Sequence, residues 1–299
     1  MMFDAFTAPG RFWKGNLHGH SDASDGRLPV AEVCAAYRGA GYDFIAVTDH
    51  FLPRYGFPVT DTAPFRAPGF TTLIGAEMHA PATEAGELWH ILAVGLPAGF
   101  AHPTDDETGP ALARRCAEAG AFVAIAHPQW YGLTQEDGLS IDAAHAVEVY
   151  NHTSAVHCDR GGGQIMLDAL LTAGRRLGAI AVDDSHWHVE DGFGGWVMVK
   201  APENTPGALL AALKAGQYYA SEGPEISDIR REGDEIVVEC SAVDRVILLG
   251  PASRATRVFG QGLTTARLNA AQVAAPWCRV VVVDSAGRRA WSNPLWLEG

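Results

Sequence analysis

The sequence predicts an α/β protein whose parallel strands close in a barrel-like sheet, followed by a small all-β domain. Three observations carry this reading. Up to about residue 222, strand-like and helix-like segments alternate. After Gly223 and Pro224 the helical texture stops and short β segments follow. Imidazoles and carboxylates recur near the ends of the expected strands, where parallel α/β folds gather their functional residues.

The elements follow in order. Residues 29–37 place Pro29 at a helix start with apolar side chains at helical spacing. Gly39 and Gly41 end that helix, and 44–47 reads as a buried strand. A helix over 111–119 ends at Gly120 and leads to a strand at 122–126. A helix over 164–173 ends at Gly174 and leads to a strand at 177–182. A strand at 196–199 and a helix at 208–215 close the series. This succession implies parallel strands joined by right-handed crossovers. Segments 235–240, 245–249 and 279–284 are β-rich and bounded by turn residues. Two domains are therefore expected, 1–222 and 223–299, the second structural or shaping one rim of a site.

Composition narrows the function classes. The chain has 299 residues, 47% hydrophobic and 19% charged, which suits a globular protein with a sizeable core. The formal net charge of −13, without a Lys/Arg-rich run, repels phosphate backbones, so nucleic acid is not an expected partner. The opening residues show no basic stretch followed by an apolar one, and no apolar run reaches a membrane-spanning length. No membrane association is expected. Cys34, Cys116, Cys158, Cys240 and Cys278 are dispersed, without CxxC spacing, and read as free thiols of a cytoplasmic protein. The expected partner is a small-molecule substrate, and the 223–299 region is a candidate for dimer contacts.

The chemistry lies in where the polar residues fall. His18 and His20, two apart on a strand, share a face and can reach one ion. Asp25 follows in the loop 21–26. Thr48-Asp49-His50 ends the 44–47 strand, and Glu77 ends the apolar run 71–74. His127 ends the 122–126 strand, and Asp183, Asp184 and His186 end 177–182. His90 opens its apolar run instead of ending it. Any one of these residues is more often a satisfied core or rim residue than a ligand. Together they put many hard-to-desolvate groups on consecutive strand ends, which is costly unless they are paired or metallated.

His18-x-His20, Ser24-Asp25-Gly26, Thr48-Asp49-His50, Glu77, Ala126-His127-Pro128 and Asp184-x-His186 resemble the motifs of the PHP (polymerase and histidinol phosphatase) family of metal-dependent hydrolases in type, order and spacing. The resemblance runs from about residue 13 to residue 190. It implies a distorted (β/α)7 barrel with two or three divalent ions. By the same resemblance, one ion takes His18, His20, Glu77 and Asp184. A second takes Glu77 as a bridging ligand, with His90 and His127. A third takes Asp25, His50 and His186, Asp25 standing where many members carry a histidine. The stretch 215–224 and the closing Ala290-Trp291-Ser292-Asn293-Pro294 resemble one branch of that family, which has a C-terminal β domain and includes carbamate-ester hydrolases such as carbaryl hydrolase.

An N/O-only ligand set suits Zn, Mn or Fe. Two ions sharing Glu77 imply a hydroxide between them as nucleophile. No GxSxG or P-loop is present. The leading expectation is a phosphoesterase acting on a small phosphorylated metabolite or nucleotide. The alternatives are a carbamate, ester or amide hydrolase on the same centre, and a non-catalytic metal-bound ligand-binding module. Asp49 and His186 are the catalytic candidates, Asp49 either orienting a histidine or donating a proton. Arg160, Asn151 and His188 are the expected substrate contacts, with His152 a further candidate. Trp130 and Trp187 are expected to wall the pocket, while His79, His102, His145 and His157 are expected to be surface or packing residues.

Overall fold

In the computed structural model, which describes residues 4–297, sixteen strands form one continuous sheet. The first nine are β1 (Arg11–Asn16), β2 (Phe44–Val47), β3 (His50–Phe51), β4 (Thr71–Ala80), β5 (Trp89–Val94), β6 (Phe122–Ile125), β7 (Ala146–Asn151), β8 (Gly178–Val182) and β9 (Trp196–Ala201). They are followed by β10 (Tyr218–Ser221), β11 (Ile226–Glu232), β12 (Glu235–Leu249), β13 (Ala255–Asn269), β14 (Trp277–Val283), β15 (Arg289–Ser292) and β16 (Leu295–Trp296). The helices are α1 (Asp4–Thr7), α2 (Val30–Gly39), α3 (Gly109–Glu118), α4 (Gln135–Ser140), α5 (His152–Cys158), α6 (Gln164–Thr172) and α7 (Pro206–Lys214). No helix among the described residues is long and apolar enough to cross a membrane.

Local chemistry sets the helix starts. The hydroxyls of Thr108, Thr134 and Thr205 accept from the backbone N–H three residues on, opening α3, α4 and α7. Asp137 completes a capping box at α4. Asn151 caps α5 through Ser154 N. The short α4 and α5 have no long apolar period, and so the sequence pattern does not announce them.

Pairs β1/β2, β2/β4, β3/β4, β6/β7 and β7/β8 are parallel, as the alternating pattern implies. β5 corrects that expectation, pairing antiparallel with both β4 and β6. Only residues 81–88 separate β4 from β5, too few for the crossover a parallel return needs. β5 therefore starts where its neighbours finish, and His79 lies opposite His90. Beyond the strands proper, Gly19 bridges Ser185 in parallel. His20 N donates to Ser185 O and Asp184 N to His18 O, both at 2.9 Å, so the continuations of β1 and β8 meet.

Apolar residues of these strands, among them Leu17, Phe44, Leu92, Phe122, Ile180 and Val197, form one buried cluster. Each contributes about 1.5–3 kcal/mol through burial. A second cluster around Ile236, Val246, Leu268 and Cys278 packs the C-terminal strands. The sheet runs without a break from β9 through β10 to β15. Two contacts fasten the C-terminal strands further. Asn293 Oδ1 accepts from Ala179 N at 2.8 Å, while its Nδ2 donates to Gly216 O at 2.9 Å and Tyr218 O at 3.0 Å. The buried Arg279 of β14 donates through Nε and Nη2 to the Asp168 carboxylate of α6, at 2.7 and 2.9 Å.

Removing one partner of a buried pair leaves an uncompensated charge, at a cost of about 3–5 kcal/mol. Asp168 is partly exposed, so Asp168→Ala is expected to lower unfolding stability by about 3 kcal/mol, at the bottom of that range. A urea titration followed by circular dichroism reads this as a lower midpoint; an unchanged midpoint would show that Arg279 finds another partner.

Candidate metal centre

The strand ends deliver a buried cluster of side chains to one place. His18 and His20 come from the continuation of β1, His50 from β3, and Glu77 and His79 from β4. His90 comes from β5, His127 from just beyond β6, and Asp184 and His186 from beyond β8. The reversal of β5 is what brings His90 in, from the opening of its strand. Four overlapping groups of these residues, with Asp25, have donor atoms close enough to share a cation.

Glu77 lies at the centre, fully buried. Its Oε2 lies 3.6 Å from both His18 Nε2 and His20 Nε2. Asp184 Oδ1 completes that set, 3.2 Å from His18 Nε2 and 2.9 Å from His20 Nε2. Glu77 Oε1 faces the other way, 2.7 Å from His90 Nδ1 and 3.0 Å from His127 Nε2. Asp25 sits 3.4 Å from His50 Nε2 and 3.5 Å from His186 Nε2. Donors around one ion of zinc size lie roughly 3–3.5 Å apart. Glu77 Oε2 also lies 2.6 Å from His50 Nδ1. His18 Nε2 and Asp25 Oδ1 are buried without a hydrogen-bond partner. Such orphaned atoms call for an explanation, and a cation is one that satisfies both. The residues thus fit divalent-metal binding.

A second layer holds these donors in place. Glu148, fully buried on β7, meets His18 Nδ1 at 2.7 Å and accepts from His127 N at 2.7 Å. Asn151 donates to Glu148 Oε2 and to Asp184 Oδ2, each at 3.0 Å. The Asp49 carboxylate takes four hydrogen bonds, from Ser21 N, Ser21 Oγ, Ser24 Oγ and Thr60 Oγ1, and so fixes the loop that carries Asp25. Gly26 closes that loop, since a Cβ there would lie 2.7 Å from His20 O. Asp183 accepts from Tyr37 Oη and from the backbone N–H of Phe193, Gly194 and Gly195; burial nonetheless pushes its carboxyl up to about 6. His127 and Asp184 have φ of +22° and +58°, a region non-glycine residues rarely occupy except where surrounding contacts compel it.

Burial opposes charge on every group here, and mutual attraction overrides it at the carboxylates. His50, His90 and His18 hold Glu77 well below the ordinary carboxylate range, and His18 and His20 do the same for Asp184. The imidazoles divide. Burial together with His186 and His50 lowers His20 to about 4, while Glu77 and Asp25 outweigh burial and lift His50 to about 10. A donor set of this kind holds positive charge, which a divalent cation supplies while displacing protons.

The cluster opens into a cavity of about 440 Å³. His186 and His188 line it, as do Trp130, Thr153, Ser154 and His157. Other sequence-derived candidates fall elsewhere. Arg160 is exposed and outside the lining, with Nη1 on Trp130 O. Asn151 is fully buried, its amide committed to Glu148 and Asp184. Asp49 does not reach the cavity and positions the 21–26 loop instead. Trp187 packs on Tyr37 and Phe193, and His152 meets Tyr150 Oη at 2.9 Å.

Sequence reasoning passed over three residues. His79 lies within the cluster, its Nε2 2.9 Å from His50 Nδ1, although Glu77-x-His79 shows the same two-residue spacing as His18-x-His20. Glu148 was readable as a lone carboxylate inside an apolar strand, which needs a partner to be buried. Arg54 lines the cavity and follows no recognisable motif.

The fold has a counterpart among solved structures. A two-domain protein from Bacteroides vulgatus containing a predicted PHP-like metal-dependent phosphoesterase aligns with a TM-score of 0.54 and 18% identity, over 88% of each chain. A proposed metal-dependent phosphoesterase from Bifidobacterium adolescentis gives a TM-score of 0.43 and 14% identity, over 60% of this chain and 90% of its own. An amidohydrolase from Chromobacterium violaceum with bound sulfate and no metal gives 0.45 and 17%, over 59% and 89%. No protein-family model and no curated sequence matches the chain.

Partners behind a metal-binding histidine typically set affinity by 10–100-fold. Glu148→Gln is accordingly expected to weaken metal binding by about that factor, read by competition against a calibrated chelator. Unchanged affinity would show that Glu148 only packs.

Proposed function

We propose that the chain is a metal-dependent hydrolase of the PHP type, and that it cleaves phosphoesters of a small phosphorylated metabolite or nucleotide. The observation that carries the proposal is the Glu77 carboxylate, whose two oxygens face two separate donor sets at the floor of an open cavity. His18, His20, Glu77 and Asp184 would hold one divalent ion, and Glu77, His90 and His127 a second. Asp25, His50 and His186 would hold a third. Zn, Mn or Fe suits these donors. Bound there, such ions lower the pKa of water and neutralise charge on the attacked oxygens.

The chain's own residues do the rest. Glu148 fixes the orientation of His18, and Asn151 that of Asp184. Asp49 holds the Asp25 loop to the rim. Arg54 adds a permanent cation to the cavity lining, suited to a phosphate oxygen by a charge-assisted bond, and His188 also lines the cavity. The arrangement is read as a distorted (β/α)7 barrel over 1–222, supported by the Gly19–Ser185 bridge, with 223–299 as a β domain. Five free thiols support a cytoplasmic setting.

A second reading is a carbamate, ester or amide hydrolase on the same centre, as in the carbaryl hydrolase branch. It is favoured by Leu52, Leu88 and Trp130 on the cavity lining, a surface suited to an aryl group.

Elemental analysis of the purified protein is expected to find two or more ions per chain. Turnover of p-nitrophenyl phosphate or its bis ester should fall by roughly three orders of magnitude in His18→Ala and Glu77→Ala. Hydrolysis of 1-naphthyl N-methylcarbamate alone would move the assignment to the second reading. Less than one ion, with no turnover after Mn, Zn or Fe is restored, would leave a non-catalytic binding module. Separately, Arg54→Ala is expected to raise KM for the phosphoester about tenfold, the worth of one charged hydrogen bond, without changing metal content. An unaltered KM would remove Arg54 from substrate binding.

A further inference from the structure

A groove of about 550 Å³ lies between the C-terminal strands and helices α5 and α6, and it shares no lining residue with the metal cavity. Alternate residues of three adjacent strands face it in register. Arg245, Val283 and Arg289 form one row across β12, β14 and β15, and Ile247, Val281 and Trp291 form the next. Arg279 ends the array, opposite Leu249. Three guanidinium groups thus line one groove of a chain whose formal net charge is −13.

Their charges are incompletely answered. Arg245 has no ion-pair partner among the described residues. Arg289 is exposed and lies 3.5 Å from Glu222. Arg279 is 2% exposed and gives Nε and Nη2 to Asp168, but its buried Nη1 has no partner. Asp159 and Asp168 are the acidic residues of the lining. The floor between the arginines is apolar, and on the facing wall Ile165 of α6 is 85% exposed.

We propose that this groove is a second ligand site, for a small amphipathic anion. Its apolar body would lie between Ile247 and Leu249 on one side and Ile165 on the other. Its carboxylate, sulfonate or phosphate head would be held by Arg245 and Arg289. Neighbouring strands are about 4.8 Å apart, so the two arginines, on either side of Val283 of β14, stand about 10 Å apart at the backbone, and a head group would sit between their guanidinium ends. Guanidinium donors suit such oxyanions by charge-assisted hydrogen bonds.

The test uses 8-anilinonaphthalene-1-sulfonate, an aromatic body with one sulfonate, titrated into the full chain by calorimetry and fluorescence. N-phenyl-1-naphthylamine serves as the neutral counterpart. One saturable site per chain is expected, weakened about tenfold or more in the Arg245→Ala/Arg289→Ala double variant and unchanged in Glu77→Ala. Ile165→Glu, at an exposed position, should weaken it as well without touching the strands. Circular dichroism melts confirm that the variants stay folded. The proposal is overturned if affinity survives in both groove variants or if no saturable site exists. Loss in Glu77→Ala, which places the dye in the metal cavity, overturns it too, as does equal affinity for the neutral amine.

Discussion

The rest of the structure depends on keeping a fully buried carboxylate charged. Glu77 is inaccessible to solvent, and an ionised carboxylate in such a place is tolerated only when surrounded by opposite charge and donors. Each of its oxygens faces a different group of imidazoles, so no single strand can satisfy it. β4 supplies the carboxylate, and the continuations of β1 and β6 supply histidines from its two sides. The reversed β5 delivers His90 from the one direction a parallel strand could not serve. The sheet order β1-β2-β4-β5-β6 places these contributors on both sides of β4.

The same demand explains the buried polar residues behind the cluster. Glu148 and Asn151 hold each other, His18, His127 and Asp184. Asp49 holds Ser21, Ser24 and Thr60, and Asp183 holds Tyr37 and the backbone of 193–195. Each turns a loop that would otherwise be free into part of a hydrogen-bonded frame, and a frame with every member satisfied is rigid. The left-handed backbone at His127 and Asp184 is held by that frame, with Glu148 on the His127 N–H and the His18 carbonyl on the Asp184 N–H.

Much of this was legible in the chain itself. The strand–helix alternation and the Gly or Pro punctuation located β2, β6, β8 and the helices α2, α3, α6 and α7 closely. The polar residues stood out because they ended apolar runs. What escaped was whatever depends on long-range pairing. The direction of β5 follows from a short link, yet nothing local in 89–94 marks a reversed strand. The continuity of β10 with β15 joins residues about seventy apart, such as Tyr219 and Ser292, and no local pattern encodes it. Arg160 looked suitable beside its glycines, whereas Arg54, on a short 3-10 turn after β3, carries no signature. His79 was overlooked although the period-two rule that picked out His18 and His20 applies to it equally.

The junction of early and late segments has a bearing on how the chain reaches this state. β1 pairs with β9, matching Arg11 to Ala201, and Asn293 closes on Ala179. Contacts of such sequence separation raise contact order and slow the search for the native arrangement. On a ribosome, β1 would wait with one edge open until residues near 200 emerge, and the Gly178–Val182 strand would wait for residue 293. Exposed edges of that kind invite pairing with other chains. Until those late residues arrive, the early strands are held by fewer partners than the finished sheet gives them.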